Sequence, residues 1–149
     1  MEDTGRRLAE KAAACGTSIV LEPLQRAETP FLRQVADGAK MAEEIGPGCT
    51  VMGDFWHMSK EETSQYGAFV YAGKLLTHVH IASLKTRRVP GTDGAADRYV
   101  DGFRGLKQIG YRGAVSMEAG WPVKDPDNAK KHEILTGMSA LVKKQWEEA

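Results

Sequence analysis

"CTVMGDFWHMSKEE", residues 49–62, reads as a strand that runs straight into a helix. An apolar, partly β-branched run gives way to a carboxylate, two aromatics and a histidine: Asp54, Phe55, Trp56 and His57. Ser59-Lys60-Glu61-Glu62 then has the S-x-x-E spacing of a capping box, which predicts a helix from there to about Ala72. Successive side chains of a strand point to opposite faces, so Thr50, Met52 and Asp54 share one face and Val51 lies on the other. Asp54 and His57 are then either polar groups at a packed strand end, facing water, or the rim of a site. The choice between them rests on the rest of the chain.

The same unit recurs on both sides. "TSIVLEPL" (17–24) is a short β-branched run stopped by Pro23, hence a strand. Thr29-Pro30 has the form of an N-cap with proline at the first helical position, and Phe31, Leu32, Val35, Ala36 and Ile45 carry a helical pattern to Gly46. "LTHVHIA" (76–82) is a third strand, and the long polar loop "SLKTRRVPGTDGAAD" comes after it. A helix through "YVDGFRGLKQIG" leads to a fourth strand, "GAVSME" (113–118). A last helix spans about Pro126 to Glu147, capped by Asp125, and a first helix covers residues 4–15, with Leu8, Ala12 and Cys15 on one face. Strands alternating with helices imply parallel neighbours and right-handed crossovers. A full (β/α)8 barrel takes about 250 residues, so 149 residues hold half of one. The expected architecture is α/β: one domain over residues 1–149, half of a TIM barrel, with four parallel βα units preceded by a helix. A four-stranded doubly wound sheet is the rival.

Composition narrows the class. Hydrophobic residues are 42% and charged residues 27% of the chain, a globular profile. Net charge is zero and the pI near 6.9, so the chain lacks the basic footprint of a nucleic-acid binder. No apolar run approaches the roughly 18 residues of a membrane span. "MEDTGRRLAEKAAACG" lacks the apolar centre of a signal peptide, and Cys15 and Cys49 make no C-x-x-C. They read as reduced thiols of a cytoplasmic protein.

The strand faces carry the chemistry. One face holds Ser18, Val20 and Glu22; Thr50, Met52 and Asp54; His78 and His80; Ala114, Ser116 and Glu118. The other holds Ile19, Leu21, Val51, Val79, Ile81, Val115 and Met117, expected to pack under helices. Each row of the first face ends in a residue able to bind a metal: Glu22, Asp54, His80 and Glu118. Singly, each has an ordinary explanation, as a solvated strand end, a cap, a rim histidine or a surface carboxylate. Jointly they fall on one face at the C-terminal ends of strands, where α/β folds place their sites. Three clustered carboxylates repel one another without a cation. Three oxygens and an imidazole suit Mn²⁺, Co²⁺ or Mg²⁺, with Zn²⁺ possible; no thiolate marks a structural zinc site.

"LEPLQRAET", "DFWHM", "HVHIAS" with "RRVPG", and "GLKQIGYRGAVSME" together resemble segments of the sugar phosphate isomerase/epimerase superfamily. These are xylose isomerase-like TIM barrels that include ketose 3-epimerases, inosose dehydratases and hydroxypyruvate isomerases. The resemblance covers most of the chain but corresponds to the C-terminal half of such a barrel. By position it implies Glu22, Asp54, His80 and Glu118 as metal ligands, with Glu22 and Glu118 also the catalytic acid and base. It further implies Glu28, His57 and Arg87 as residues that contact substrate oxygens, which favours the site-rim reading of His57. His78 is expected one layer deeper.

The implied activity is isomerisation or epimerisation of a small keto sugar by proton transfer beside a carbonyl, through an enediolate. A dehydratase on an inosose or 3-keto sugar, and a non-catalytic sugar-binding half barrel, are the alternatives. Abasic-site endonucleases share the barrel but need more metal ligands and suit a basic surface. The expected partners are a small sugar and either a second copy of the chain or a missing N-terminal half barrel, with no nucleic acid and no membrane.

Overall fold

The computed structural model describes residues 2–149. In chain order it forms α1 (Glu2–Ala14), β1 (Ile19–Leu21), α2 (Val35–Ile45), β2 (Cys49–Asp54), α3 (Phe55–Glu61), α4 (Gln65–Ala72), β3 (Leu76–Ile81), α5 (Val100–Gln108), β4 (Val115–Met117) and α6 (Asn128–Glu148). The strands form a single parallel sheet in the order β1-β2-β3-β4. That is the order and direction of four consecutive barrel strands, with β1 and β4 left as open edges.

Register decides which side chains meet. Val51 is level with Leu76, but Met52 is level with His78, so the pairing slips by one residue between them. The slip leaves Thr77 as the extra residue, its hydroxyl donating to Thr50 Oγ1 at 2.8 Å. Without it, Asp54 would lie beside Val79, whose side chain points to the helices. With it, Asp54 is level with His80, and His80 with Ser116.

The helix side of the sheet holds the core. Val51, Leu76, Val79 and Ile81 are buried against Phe55, Phe69, Tyr99, Phe103 and Leu106. Phe55 is the hub, meeting Phe69, Tyr99 and Phe103 edge-to-face at centroid distances of 5.6, 5.3 and 5.5 Å. Gly102 is small for that reason: a Cβ there would run into the Phe55 ring. Leu21 and Met117 are only partly buried, and Val115 is 38% exposed rather than covered. At the β4 edge the cause is where α6 goes. It lies against α5, with Trp146 on Phe103 at 5.4 Å and Gln145 bonded to Tyr99 N and Asp97 O, and leaves the outer side of β4 open.

Several helix starts differ from the sequence expectation, each because a different group supplies the cap. Thr29-Pro30 opens no helix; α2 begins at Val35, whose N–H is taken by the Glu62 carboxylate at 2.7 Å. The segment before it stays irregular because it wraps Glu61: Arg26 clamps that buried carboxylate through its backbone N–H at 2.7 Å and its guanidinium at 3.0 Å. Ser59 is no cap, since its hydroxyl donates back to Trp56 O inside α3. Asp54 caps α3 and Ser64 caps α4, so the single helix expected over 59–72 is two helices with a break between. Asp127, not Asp125, caps α6.

Candidate metal centre and its surroundings

Glu22 lies one residue beyond β1, Asp54 ends β2, His80 is in β3, and Glu118 lies one residue beyond β4. The sheet brings all four together: one potential ligand atom from each lies within 4.8 Å of the others. His80 Nδ1 is 3.1 Å from Glu118 Oε2, 3.7 Å from Glu22 Oε1 and 4.0 Å from Asp54 Oδ2. Asp54 is 1% exposed, Glu22 and His80 are half-buried, and Glu118 is exposed at the mouth.

The hydrogen bonding is incomplete at one spot. Glu22 Oε1 and His80 Nδ1 are buried with no hydrogen-bond partner, although each faces the centre of the cluster. A buried polar atom left unpaired costs about 1–3 kcal/mol, and two adjacent ones aimed at the same point need a common cause. A divalent cation held there would supply it: it would satisfy both lone pairs and neutralise three converging carboxylates, and the O,O,O,N donor set fits such an ion. The residues present therefore fit the metal.

The electrostatics of the two glutamates diverge. Burial, then the charges of Glu118 and Asp54, push the Glu22 carboxyl above its ordinary range against the pull of His80 and Arg87. Burial also pushes Glu118 up, but the hydrogen bond and charge of Arg87, helped by His80, outweigh it and hold Glu118 below the ordinary range.

Arg87 reaches the cluster from the loop after β3. Its Nη2 donates to Glu118 Oε2 at 2.6 Å and to Asp54 Oδ2 at 3.2 Å, and its guanidinium lies 4.5 Å over the Trp56 ring. It does so with φ of +53°, a left-handed conformation uncommon outside glycine. Two aspartates hold that loop. Buried Asp97 accepts from the N–H groups of Leu84, Gly91 and Asp93, and Asp93 from those of Lys85 and Thr86.

His57 is 1% exposed and stands on the first turn of α3, where Asp54 Oδ1 takes the N–H of Trp56 at 2.7 Å and of His57 at 3.4 Å. Asp54 thus serves both readings of the strand end: one oxygen caps the helix that carries His57, and the other faces His80 and Arg87 in the cluster. His57 Nδ1 accepts from the Gln25 N–H at 3.1 Å, and Nε2 lies 2.8 Å from Arg87 Nη1. Burial lowers the imidazole pKa, against the opposing charge of Asp54. His78 sits a layer deeper, its ring edge-to-face with His80 at 4.9 Å, as the alternation of faces requires.

Glu28 is not drawn into the cluster. It sits on an exposed turn and accepts from the Gln25 side chain at 2.9 Å. Gln25, Asp93 and Asp97 are the supporting residues that the sequence reading missed. Gln25 acts through its backbone, which no side-chain pattern reveals, and the aspartates sit in a polar loop where acidic residues are ordinary.

Comparison with known proteins agrees with this geometry. The family described as the xylose isomerase-like TIM barrel matches residues 2–139. The chain is 35% identical over 114 residues to the D-psicose 3-epimerase of Ruminiclostridium cellulolyticum, covering 76% of this chain and 38% of that protein. It is 33% identical over 135 residues to the 3-dehydro-D-guloside 4-epimerase of Escherichia coli, covering 90% and 50%. Among solved structures, the D-psicose 3-epimerase of Clostridium cellulolyticum H10 with D-tagatose superposes with a TM-score of 0.86 at 26% identity, covering 97% of this chain and 55% of that one. The E. coli 3-keto-D-glucoside 4-epimerase superposes with a TM-score of 0.80 at 32% identity, covering 93% and 52%. The chain therefore spans about half the length, or less, of the proteins it matches. No helix among the described residues is long and apolar enough to cross a membrane. With four parallel strands in barrel order and a match across nearly all its length, the chain belongs to the xylose isomerase-like TIM barrel family.

Proposed function

We propose that this chain carries the metal-binding and proton-transfer half of a sugar epimerase, acting on a small keto sugar or a close derivative. The observation that carries the reading is the convergence of Glu22, Asp54, His80 and Glu118, with Glu22 Oε1 and His80 Nδ1 left unpaired at its centre. A divalent ion held there (Mn²⁺, Co²⁺ or Mg²⁺, with Zn²⁺ also compatible) would act as a Lewis acid on the oxygens of the substrate.

The chain's own residues supply the rest. Glu22 and Glu118 come from the two edge strands, so they flank the cluster from opposite sides. One removes the proton from the carbon beside the carbonyl, and the other returns a proton to the opposite face. General acid–base steps of this kind give about 10²–10⁴-fold each. His57 and Arg87 face the same space and would steady negative charge on the enediolate oxygens. Glu28 would contact the sugar from its exposed turn. Isomerases and dehydratases share the first proton removal and differ in the later fate of the enediolate; the names of the relatives favour epimerisation.

The test is solvent exchange. NMR in D₂O with Mn²⁺ or Co²⁺, across ketoses, inososes and 3-keto-glycosides, should show deuterium entering beside the carbonyl of one substrate class. Sugar binding without exchange in any of them would leave a binding protein instead.

The reading also assigns the chain a cytoplasmic setting and a second half barrel. Leu8 (53% exposed), Phe31 (55%) and Val20 (38%) line the β1 side, and Val115 the β4 side. The proposed cover is either another copy of this chain or an N-terminal half barrel.

A further inference from the structure

The apolar stripe of α6 ends in a polar residue. Ile134, Met138, Leu141 and Val142 recur at helical spacing and are half-buried, and Gln145 continues their row. Gln145 is also the buried residue of that helix, 8% exposed. A glutamine at the deepest point of an apolar face is placed there by its amide. Its Oε1 accepts from the Tyr99 N–H at 2.6 Å, and its Nε2 donates to Asp97 O at 2.7 Å. Tyr99 precedes α5, and the first N–H groups of a helix have no partner inside it. Gln145 supplies that partner from the far end of the chain.

The segment it holds, residues 97–99, in turn holds the loop that carries Arg87. Asp97 is 2% exposed, and its carboxylate takes the N–H of Leu84 at 2.7 Å, on one side of Arg87. It also takes those of Gly91 and Asp93, on the other side, at 2.6 and 3.1 Å. The Tyr99 hydroxyl donates to Ala82 O at 3.0 Å, where the loop leaves β3. Both ends of the loop are thus drawn to one short segment, with residue 87 in the turn between them. A left-handed φ at a non-glycine residue persists only where its surroundings over-determine it. Here the surroundings reach back to α6.

We infer that Gln145 is a positioning residue: by holding residues 97–99 against α6, it fixes the loop that keeps the Arg87 guanidinium on Glu118 and Asp54. The part of Arg87 in catalysis rests on the proposed sugar chemistry; the mechanical link does not. Gln145 itself reaches none of the four candidate ligands. It acts through Asp97, and the last turns of α6 serve the cluster at a distance.

NMR of the ¹⁵N-labelled, metal-free protein tests the link. The Nη protons of Arg87, assigned through Arg87→Met, should be separately resolved in the wild type, as for a guanidinium held in place. Gln145→Met keeps the bulk and removes both hydrogen bonds. It should average those protons and speed exchange of the Leu84, Gly91 and Asp93 amides about tenfold, the scale of one ordinary hydrogen bond. Asp127→Ala removes the cap of α6 but leaves Gln145 in place, so it should keep the Arg87 protons resolved. Resolved protons in Gln145→Met overturn the inference. So does equal averaging in Asp127→Ala, which would make Gln145 a general stabiliser. In the wild type, the Tyr99 and Leu84 amides should open together as one cooperative unit; separate opening overturns the link even if Gln145→Met fails to fold. With Mn²⁺, Gln145→Met should tighten binding in the direction of Arg87→Met and add nothing in an Arg87→Met background. An equal gain in that background overturns the connection to Arg87. The spectra and the exchange need neither metal nor sugar, so they decide the link even if the epimerase reading fails.

Discussion

Arg87 Nη2 lies 2.6 Å from Glu118 Oε2, so a guanidinium holds an oxygen that the proposed metal cluster would also need. The same nitrogen reaches Asp54 Oδ2, a second candidate ligand atom, at 3.2 Å. A metal bound in the proposed cluster would therefore compete with Arg87 for these carboxylates. Arg87→Met removes the competitor without adding a ligand and should tighten Mn²⁺ binding by roughly fivefold, the scale of a partly exposed ion pair. Calorimetric titration measures this. Weaker binding in the variant would mean that Arg87 supports the ligands rather than competing for them.

Glu118 is the most exposed of the four candidate ligands and contributes little to the core, so its role can be read without loss of folding. Glu118→Gln should lower Mn²⁺ affinity by at least about tenfold and leave the thermal midpoint of the metal-free protein nearly unchanged. Asp54→Ala should do both kinds of damage. It removes a buried ligand and the cap of α3, and loss of a cap costs about 1 kcal/mol. Equal affinity in wild type and Glu118→Gln would take Glu118 out of the site.

Acid stability should carry the signature of Glu61. Arg26 holds this carboxyl by side-chain and backbone hydrogen bonds, lowering its pKa from 4.5 to about 2. A folded pKa below the unfolded value means stability that is fully present above about 4.5 and lost as pH falls toward 2. Thermal melts of wild type and Glu61→Gln across that window should converge at the acid end and separate as pH rises. Parallel curves would show that the clamp contributes no pH-dependent stability.

Much of this was legible in the sequence, and the parts that were not have physical reasons. The strands were readable because alternation sorts Met52 and Asp54 from Val51, and because Glu22, Asp54, His80 and Glu118 each terminate one inward row. Helix starts were less readable. Capping is satisfied by whichever acceptor is nearest in space, and at Val35 that is Glu62, 27 residues away. The register slip at Thr77 has no sequence mark either, yet it levels Asp54 with His80. The position of Arg87 depends on buried Asp97 gathering three N–H groups of its loop, which only the folded loop reveals.

The open sheet edges bear on how the chain exists in solution. β1 pairs only with β2, and β4 only with β3, so each edge presents unpaired N–H and C=O groups in a parallel sheet. Parallel sheets are ordinarily covered on both faces, and bare edges invite pairing with other chains. Here the inner face also lacks an opposing layer: Val20 is 38% exposed on the side that a barrel would fill. A two-fold mate could pair its β4 with this β1 and the reverse, closing eight strands and removing all four edges, and two-fold dimers are the commonest oligomers. Such a barrel would bring two ligand clusters to one mouth and bind two metal ions per dimer. An N-terminal half barrel would cover the same edges and leave one cluster per barrel. Light scattering at micromolar concentration should therefore give twice 16.3 kDa for the chain alone, or a sticky, poorly cooperative species that becomes orderly when an N-terminal half is supplied. A monodisperse 16.3 kDa monomer that melts in one sharp transition would show that four strands suffice, and would end the half-barrel account of these edges.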